Sequence, residues 1–214
     1  MTAPRVAALV PVKSLVAAKS RLANELPPAQ RGAVTLAMLR AVLEQLTLTP
    51  GIDAVATISR DDDVLAVARE LGSASLSEQP GGLNAALEQG RAWARDLGAE
   101  ALLVVPGDVP LARASDFGAL LAALSQLQGP ALALTPSADG GTNALLLRPP
   151  ELIPFRFGHD SAAQHQQEAE RRGVAVALVP RPRLAFDVDS PADYQRYLAL
   201  EREALAAAER PRRR

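Results

Sequence analysis

Short apolar runs alternate with segments of helical spacing along most of this chain. Residues 6–10 form a continuous apolar run ended by Pro11, which is typical of a strand buried on both faces. A stretch of helical spacing then opens at Pro27-Pro28 and closes at Pro50-Gly51. The further predicted strands are 52–58, 74–76, 101–105, 131–135, 143–147 and 174–179. The further predicted helices are 63–71, 83–97, 114–128, 160–172 and one that begins at Ser190.

This order of elements predicts the fold class. Strands separated by helices of this length form right-handed βαβ crossovers, so we expect an α/β fold with a mainly parallel twisted sheet and helices on both faces. The rhythm changes after Gly129, where the predicted strands 131–135 and 143–147 flank a turn at 137–141. That pattern indicates either a β-hairpin or a crossover at the edge of the sheet.

The length of 214 residues suits one domain with a full core, and we expect that domain over residues 1–200. At the last helix, Ser190 is the expected N-cap, with Pro191 at the first position and Asp193 at the third. The segment 201–214 is polar and ends in Arg-Pro-Arg-Arg-Arg. We predict a solvated, frayed tail there, and a basic docking arm is the alternative.

Composition and charge exclude several classes of protein. The chain has no Cys, which excludes a disulfide scaffold and disfavours a structural zinc site. A net charge of −1 gives no support for nucleic acid or an anionic membrane as a partner. No apolar run is long enough to span a bilayer, and the run at 6–10 leads to Lys13 instead of a signal cleavage site. We therefore expect a cytoplasmic protein.

Three unusual segments follow predicted strands, at residues 11–22, 106–111 and 186–190. Ligands of open parallel sheets bind beyond the carboxyl ends of the strands. The three segments are therefore expected to meet at one rim of the sheet and to form a site there.

The first segment holds both lysines of the chain, Lys13 and Lys19, although the chain has 23 basic residues. Arg21 and the hydroxyls of Ser14 and Ser20 accompany them. The segment has no Gly, so it is neither a Walker loop nor a dinucleotide fingerprint, and phosphate would be met by side-chain cations. The alternative is a loop face that is merely solvated.

The other two segments carry carboxylates. Asp108 stands between prolines just after an apolar strand, and Asp187 and Asp189 are two positions apart. In an extended segment the carboxylates of Asp187 and Asp189 project from one face. Their like charges repel, and a divalent cation is the simplest way to stabilise them together. Rigid carboxylates at strand ends commonly hold Mg²⁺ against phosphates. Helix capping is the alternative for Asp108 and for Asp189 with Ser190.

Two further segments, 140–143 and 157–161, combine glycines with hydroxyl side chains. They can offer N–H and O–H donors to a small anion, although such segments are more often ordinary turns. His159 and His165 have no neighbouring metal ligands in the sequence.

Together these motifs resemble the guanylyltransferase family of deazaflavin (coenzyme F-420) biosynthesis. The matching segments are PVKSLVAAKSRL after the first strand, GGLNAAL at 81–87, PGDVPL at 106–111, DGGTNALLL at 139–147, FRFGHDSAAQH at 155–165 and FDVDSPAD at 186–193. The resemblance implies a three-layer Rossmann-like nucleotidyltransferase fold. It also implies transfer of GMP from GTP to phosphoenolpyruvate, 2-phospho-L-lactate or 3-phosphoglycerate, with release of pyrophosphate.

The resemblance implies roles for individual residues. The implied catalytic cations at the triphosphate are Lys13, Lys19 and Arg21. The implied Mg²⁺ ligands are Asp108, Asp187 and Asp189. The implied binding residues for the carboxylate and phosphate of the acceptor are Thr142, Gly158 and Ser161. The implied residues near guanine and ribose are Gly81, Gly82, Leu83 and Asn84.

One departure from the family is visible, because its members commonly carry Ala where this chain has Gly107. Among the three acids, we expect phosphoenolpyruvate to be the acceptor. The Arg-rich composition suggests a GC-rich bacterial source, and the branch of the resembled family that uses phosphoenolpyruvate is common in such bacteria. A different phosphorylated acceptor, such as a sugar phosphate or molybdopterin, is the second enzymatic interpretation. The alternative outside the enzymes is a non-catalytic module that only binds a nucleotide. The sequence leaves a monomer and a homodimer open.

Overall fold

The computed structural model describes residues 5–15, 19, 22–23 and 25–208, with side chains up to residue 203. Predicted site residue Arg21 lies outside these residues. The strands are β1 Val6–Pro11, β2 Ala54–Ser59, β3 Ala74–Ser77, β4 Ala101–Val104, β5 Ala131–Pro136, β6 Thr142–Arg148 and β7 Ala175–Leu178. The helices are α1 Pro28–Thr47, α2 Asp62–Glu70, α3 Leu83–Asp96, α4 Ala114–Ser125, α5 Ser161–Arg171 and α6 Pro191–Ala208.

The strands form one sheet of seven in the order β3-β2-β1-β4-β6-β5-β7. β1 pairs in parallel with both β2 and β4, and β5 pairs in parallel with β7. β6 pairs antiparallel with β4 on one side and β5 on the other. The predicted mainly parallel α/β sheet is therefore confirmed, and the segment after Gly129 is a hairpin inserted next to β4. Among the described residues, no helix is both long and apolar enough to cross a bilayer.

Successive side chains of β1 point to opposite faces of the sheet and pack into a hydrophobic core on each face. Val6, Ala8 and Val10 pack on one face with apolar residues of α1, α2 and α4. Ala7 and Leu9 point to the other face and pack with residues of α3 and α5. Because a strand buried on both faces needs apolar residues at every position, the continuous run at 6–10 is what this central strand requires.

The start of α6 has the predicted cap. The Ser190 backbone N–H donates to Asp193 Oδ2 at 2.8 Å, and the Asp193 N–H donates to Ser190 Oγ at 3.2 Å. This reciprocal pair is a capping box in which Asp takes the usual place of Glu. The helix continues to Ala208, so residues 201–208 of the predicted frayed tail are helical.

Gly90 lets α3 approach β1 closely. A Cβ added at Gly90 would collide with the side chain of Leu9, which is fully buried. We expect Gly90→Ala to lower the free energy of unfolding by about 1–3 kcal/mol, because the packed core must shift to admit one methyl group. Denaturant unfolding measures this change.

Gly118 in α4 is the matched control, because a Cβ added there meets nothing within 4 Å. Gly118→Ala is expected to raise the free energy of unfolding by about 0.5–1 kcal/mol, since Ala loses less backbone entropy in a helix. Equal effects of the two substitutions would contradict the close approach of α3 to β1.

Candidate active site

The predicted site residues gather at one rim of the sheet. The loop after β1, the loop after β4 and the segment after β7 all leave the sheet at its carboxyl edge, where ligands of open α/β sheets bind. Because β6 is antiparallel, its first residues, Thr142 and Asn143, reach the same edge. The Val188 N–H donates to the Asp108 carbonyl at 3.1 Å and joins two of these loops directly.

Lys19 lies at the centre of this rim. Its ammonium donates to Asp108 Oδ2 at 2.6 Å and to Asp189 Oδ1 at 2.9 Å, and its side chain is only 6% exposed. Burial lowers the pKa of Lys19, but the two carboxylates outweigh burial, and the pKa ends above its ordinary value. Lys19 is therefore a charged ammonium held between two carboxylates that come from distant parts of the chain.

The backbone of Lys19 has φ of 50°, in the left-handed region that residues other than Gly rarely adopt. Such a conformation costs free energy and persists only when its surroundings hold it. The two ion pairs of the ammonium provide that hold. At Lys19 an unfavourable backbone conformation is therefore combined with two favourable ion pairs.

Asp187 and Asp189 face different neighbours. Asp189 contacts Lys19, whereas Asp187 Oδ1 accepts a hydrogen bond from Asn143 Nδ2 at 3.2 Å. Burial raises the pKa of Asp187, the hydrogen bond from Asn143 opposes this, and the negative charges of Asp108 and Asp189 raise the pKa further. Residues 186–189 do not form a strand, and Val188 between the two carboxylates is fully buried. Asp187 and Asp189 thus meet different partners but remain close enough for the charge of one to act on the other.

Neither helix-capping alternative describes these carboxylates. The box that caps α6 consists of Ser190 and Asp193, and Asp108 lies well before α4, with its carboxylate on Lys19. No three His, Cys, Asp or Glu side chains of the described residues are grouped so that they could hold a metal ion. Asp108 and Asp189 are nevertheless drawn together around one cation.

Two adjoining cavities open at this rim. The larger has a volume of about 650 Å³ and the smaller about 180 Å³. Asp108, Leu83, Pro106 and Phe157 line both of them. A molecule in one cavity would therefore lie next to a molecule in the other, with the Asp108 carboxylate between them.

The larger cavity extends from the end of β3 to the end of β4. Six of the predicted site residues line it: Lys13, Lys19, Gly82, Leu83, Asp108 and Asp189. Glu78, directly after β3, also lines it, and its Oε1 lies 3.3 Å from Arg60 Nε. Three strand spacings separate β3 from β4, which is about 14 Å. The cavity is thus long and carries charged groups at both ends.

The smaller cavity is lined by all three predicted acceptor residues, Thr142, Gly158 and Ser161, together with Asp187 and Asn143. Ser161 Oγ donates to Thr142 Oγ1 at 3.0 Å, and both residues are buried. The sequence prediction that these three residues come together agrees with their positions around one small polar space.

Gly81, just before α3, and Asn84, in its first turn, do not line the two cavities. Asn84 Nδ2 donates to the Phe157 carbonyl at 3.1 Å, and the Phe157 N–H donates to Asn84 Oδ1 at 3.0 Å. Gly81 has φ of 150°, and a Cβ there would lie 2.6 Å from the Cβ of Ala85. These two residues hold Leu83 and Phe157 in the wall that the cavities share.

Asp61 is a functional-site residue that the sequence analysis missed. It follows β2 and caps α2, because its Oδ1 accepts from the Asp63 N–H at 3.2 Å. Its Oδ2 accepts from Ser14 Oγ at 3.1 Å and from the Leu15 N–H at 3.0 Å. Asp61 therefore anchors the loop that carries Lys13. The run of three Asp after a predicted strand was the signal that could have identified it.

Asp116 anchors the chain that leads to Asp187 and Asp189. It is 2% exposed, and it accepts hydrogen bonds from Arg181 Nε and Arg183 Nε, each at 3.0 Å. Burial raises the pKa of Asp116, but the bonds from Arg183, the Arg113 N–H and Arg181 outweigh it and hold the pKa below its ordinary value.

We expect Asp116→Asn to lower the free energy of unfolding at pH 7 by about 1–3 kcal/mol, because charged hydrogen bonds are lost from a buried carboxylate. The pKa of Asp116 is lower in the folded protein than in the unfolded protein, where it is about 4, so the charged carboxylate stabilises the fold above that pH. This stabilisation is lost as the pH falls through the pKa of the folded protein. The difference between variant and wild type should therefore shrink below about pH 4. Denaturant unfolding at a series of pH values measures this difference, and Asp96→Asn, at an exposed position, is the control. A difference between Asp116→Asn and wild type that stayed constant across pH would contradict the prediction.

Gly107, where the resemblance leads us to expect Ala, is packed against the first loop. A Cβ added there would lie 2.9 Å from Val12 Cγ2 and 3.6 Å from Val10 Cγ1. The backbone of Gly107 is not among the positions with positive φ, so Ala is conformationally allowed and only the neighbouring side chains must move. Gly at this position therefore relieves a close contact with Val12.

Known proteins share both the sequence and the fold. Residues 6–203 match the family described as guanylyl transferase CofC like. The phosphoenolpyruvate guanylyltransferase of Rubrobacter xylanophilus is 49% identical over 190 residues, which cover 88% of this chain and 91% of that protein. The 3-phospho-D-glycerate guanylyltransferase of Colwellia psychrerythraea is 30% identical over 187 residues, which cover 87% and 88%.

Solved structures agree with the fold. A nucleotidyl transferase from Methanothermobacter superposes with a TM-score of 0.68 at 15% identity, over 94% of this chain and 99% of that chain. A CMP-2-keto-3-deoxy-manno-octonic acid synthetase in complex with CTP gives 0.65 at 14% identity, over 94% and 99%. The predicted nucleotidyltransferase-type fold is confirmed by these neighbours. Given the family match over nearly the whole chain and the similarity to the Rubrobacter enzyme, this protein belongs to the CofC-like guanylyl transferase family.

Proposed function

We propose that this enzyme transfers GMP from GTP to a small phosphorylated acid, with phosphoenolpyruvate as the preferred acceptor, and releases pyrophosphate in the biosynthesis of coenzyme F-420. The observation that carries the proposal is the pair of adjoining cavities, one long and one small, that share Asp108. A transfer between two substrates needs two such spaces in contact, with their reacting atoms held close together.

The charges of the larger cavity give the orientation of the nucleotide. Lys13 and Lys19 follow β1 and line the larger cavity, and Lys19 contacts Asp108, which both cavities share; the two cations suit the triphosphate. Glu78 stands after β3, about 14 Å from the β4 end by strand spacing. That span suits a nucleoside between its base and its α-phosphate. Guanine offers N–H donors at N1 and N2, and a carboxylate accepts both.

The residues present fit Mg²⁺. Their donors are carboxylate oxygens, and Asp108 and Asp189 are already held around a positive charge in Lys19. Mg²⁺ is commonly bound by one or two carboxylates together with substrate phosphates and water, so a closed cage of three carboxylates is not required. Asp108 and Asp189 would hold the ion, with Asp187 on the side of the acceptor. What the ion supplies when bound is neutralisation of phosphate charge.

The protein does not need a general base for this reaction. The phosphate of the acceptor has a second pKa of about 6 and is mostly dianionic at pH 7. The main obstacle is repulsion, since two unit charges about 4 Å apart interact by about 4 kcal/mol at an effective dielectric constant of 20. Lys13 and Lys19 offset part of this repulsion and orient the triphosphate for in-line attack.

The smaller cavity supports an acceptor of about three carbons. Its volume of about 180 Å³ suits a small molecule, and Thr142, Ser161, Gly158 and Asn143 offer it hydrogen-bond donors. Asp108 and Asp187 line the same cavity, so an anionic acceptor there would need a cation such as Mg²⁺ beside these carboxylates. These donors grip groups that all three candidate acids share. Discrimination therefore rests on the middle of the acid, where a methylene-sized difference is worth about 1–3 kcal/mol, or roughly 10- to 200-fold. Phosphoenolpyruvate is the acceptor in the name of the Rubrobacter relative.

The test of this function is to incubate the protein with GTP, Mg²⁺ and each of the three acids separately, and in parallel with a sugar phosphate and with molybdopterin. We expect release of pyrophosphate and a guanylylated acid of matching mass, fastest with phosphoenolpyruvate. Faster turnover with 2-phospho-L-lactate or 3-phosphoglycerate would correct the acceptor and leave guanylyl transfer standing. Turnover only with a sugar phosphate or molybdopterin would contradict the assignment to small acids, and turnover with none would contradict the function.

Glu78→Gln is expected to raise the KM for GTP about 10-fold, because the amide replaces one acceptor oxygen with a donor that faces the donors of guanine. The wild type should also favour GTP over ITP, which lacks the N2 amino group, and this preference should fall in the variant. Steady-state kinetics with both nucleotides measure the effect. Glu100→Gln, which changes an exposed carboxylate outside both cavities, is the control. An unchanged preference in Glu78→Gln would contradict recognition of the base by Glu78.

A further inference from the structure

His165 is a buried polar group for which the proposed reaction gives no role so far. It lies in α5 with 0% exposure, directly behind the smaller cavity. Its Nε2 lies 3.0 Å from the backbone N of Arg156, and its Nδ1 lies 3.1 Å from Thr142 Oγ1. Thr142 Oγ1 is also 3.0 Å from Ser161 Oγ. The three side chains form a short chain of hydrogen bonds that ends at the cavity.

The backbone fixes the tautomer of His165. An amide N–H can only donate, so the Arg156 N–H requires Nε2 to be an acceptor without a proton. The neutral ring then carries its proton on Nδ1, which must donate to Thr142 Oγ1. Burial, together with the charge of Arg156, lowers the pKa of His165 to about 4, which agrees with a neutral ring at pH 7.

A count of protons shows the consequence for the cavity. Nδ1–H, the Thr142 hydroxyl and the Ser161 hydroxyl bring one proton each, and the contacts among the three groups use two. One hydroxyl proton therefore remains for an acceptor outside these three groups. With the other tautomer, Thr142 would donate to Nδ1 and Ser161 to Thr142, and both hydroxyl protons would be used internally. The side chains of Thr142 and Ser161 line the smaller cavity, so the remaining proton is available there.

We propose that His165 is a positioning residue that makes the Thr142–Ser161 pair a hydrogen-bond donor to an anionic end of the phosphorylated acid. This inference rests on the proposed function, because it assigns the smaller cavity to the acceptor. An anion accepts hydrogen bonds and cannot donate them, so a pair that always keeps one outward proton suits an anion. His165 does not touch the substrate and acts through Thr142.

Two substitutions of His165 separate positioning from mere packing. The Asn amide nitrogen, like Nδ1, is attached to Cγ, so His165→Asn can keep the donor to Thr142 and lose the acceptor for Arg156. The Gln side chain reaches the position of Nε2, so His165→Gln can keep the acceptor and lose the donor. If His165 positions Thr142, His165→Asn should preserve binding of the acceptor better than His165→Gln does. If His165 only fills space in the core, no such order is expected.

We expect His165→Gln to raise the KM for phosphoenolpyruvate roughly 10- to 100-fold, the range for one lost hydrogen bond to a charged group. His165→Asn should stay within about threefold of the wild type, and the KM for GTP should change less than about twofold in both variants. Normal acceptor KM in His165→Gln, or equal losses for acid and GTP in both variants, would overturn the proposal.

The Thr142→Val background tests directly whether His165 acts through Thr142. In the Thr142→Val background, His165→Gln should cause no further rise in the KM for phosphoenolpyruvate, because the donor it orients is already absent. Additive losses would overturn action through Thr142. Calorimetric binding of phosphoenolpyruvate to each variant is measured as well. If the wild type shows no guanylyl transfer, the proposed function fails, whereas transfer and binding that are insensitive to His165→Gln contradict only the role of His165.

Discussion

Asp108→Asn is expected to lower turnover by at least about 100-fold, which corresponds to about 2.7 kcal/mol of transition-state stabilisation. Asp108 is the polar residue that both cavities share, and its carboxylate is bound to Lys19. Asn keeps the size of the side chain but removes the negative charge that a divalent cation and the ammonium both need. The loss should therefore fall on turnover, with the fold intact.

The measurement is steady-state pyrophosphate release at saturating GTP and acid, repeated over a range of Mg²⁺ concentrations. We expect the variant to need more Mg²⁺ for half-maximal activity. Asp96→Asn, at an exposed position at the end of α3, is the control and should behave as the wild type. Near-normal turnover of Asp108→Asn at the same Mg²⁺ concentration would remove Asp108 from the reaction.

The fold could be predicted in most of its parts because each strand carries a local signal. Buried strands appear as short continuous apolar runs, and the Pro and Gly residues around them mark the ends of the elements. The position of the hairpin could not be predicted, because the antiparallel β6 lies between β4 and β5, and strand order depends on contacts far apart in sequence. That insertion matters for function, since it brings Thr142 and Asn143 to the rim.

The gathering of the site could be predicted from the rule that ligands bind at the carboxyl edge, whereas its internal contacts could not. Lys19 pairs with residues 89 and 170 positions away, which no local pattern encodes. The partners of Asp187 and Asp189, which are Asn143 and Lys19, also lie far away in the sequence. His165 had no visible function in the sequence, because its tautomer depends on a backbone N–H from the loop before α5.

The structure also ranks the two lysines, which the sequence treats as equivalent. Lys13 is exposed in the wall of the larger cavity, whereas Lys19 is buried and joins Asp108 to Asp189. A buried cation between two carboxylates affects both their geometry and their charge. An exposed cation acts on the nucleotide through a more strongly screened field. The two side chains should therefore contribute very differently to the reaction.

Lys19→Met is expected to lower turnover by at least about 100-fold, because it removes the ammonium while keeping a side chain of similar length. Without that charge, Asp108 and Asp189 repel each other and no longer hold a fixed arrangement at the junction of the two cavities. Lys19→Arg should restore little, since a planar guanidinium does not fit the enclosed space of a compact ammonium. Lys13→Met is the matched comparison and should cost about tenfold, mainly in the KM for GTP. Kinetics and thermal unfolding of the three variants test this order. A greater loss of turnover in Lys13→Met than in Lys19→Met would contradict the central place of Lys19 in the site.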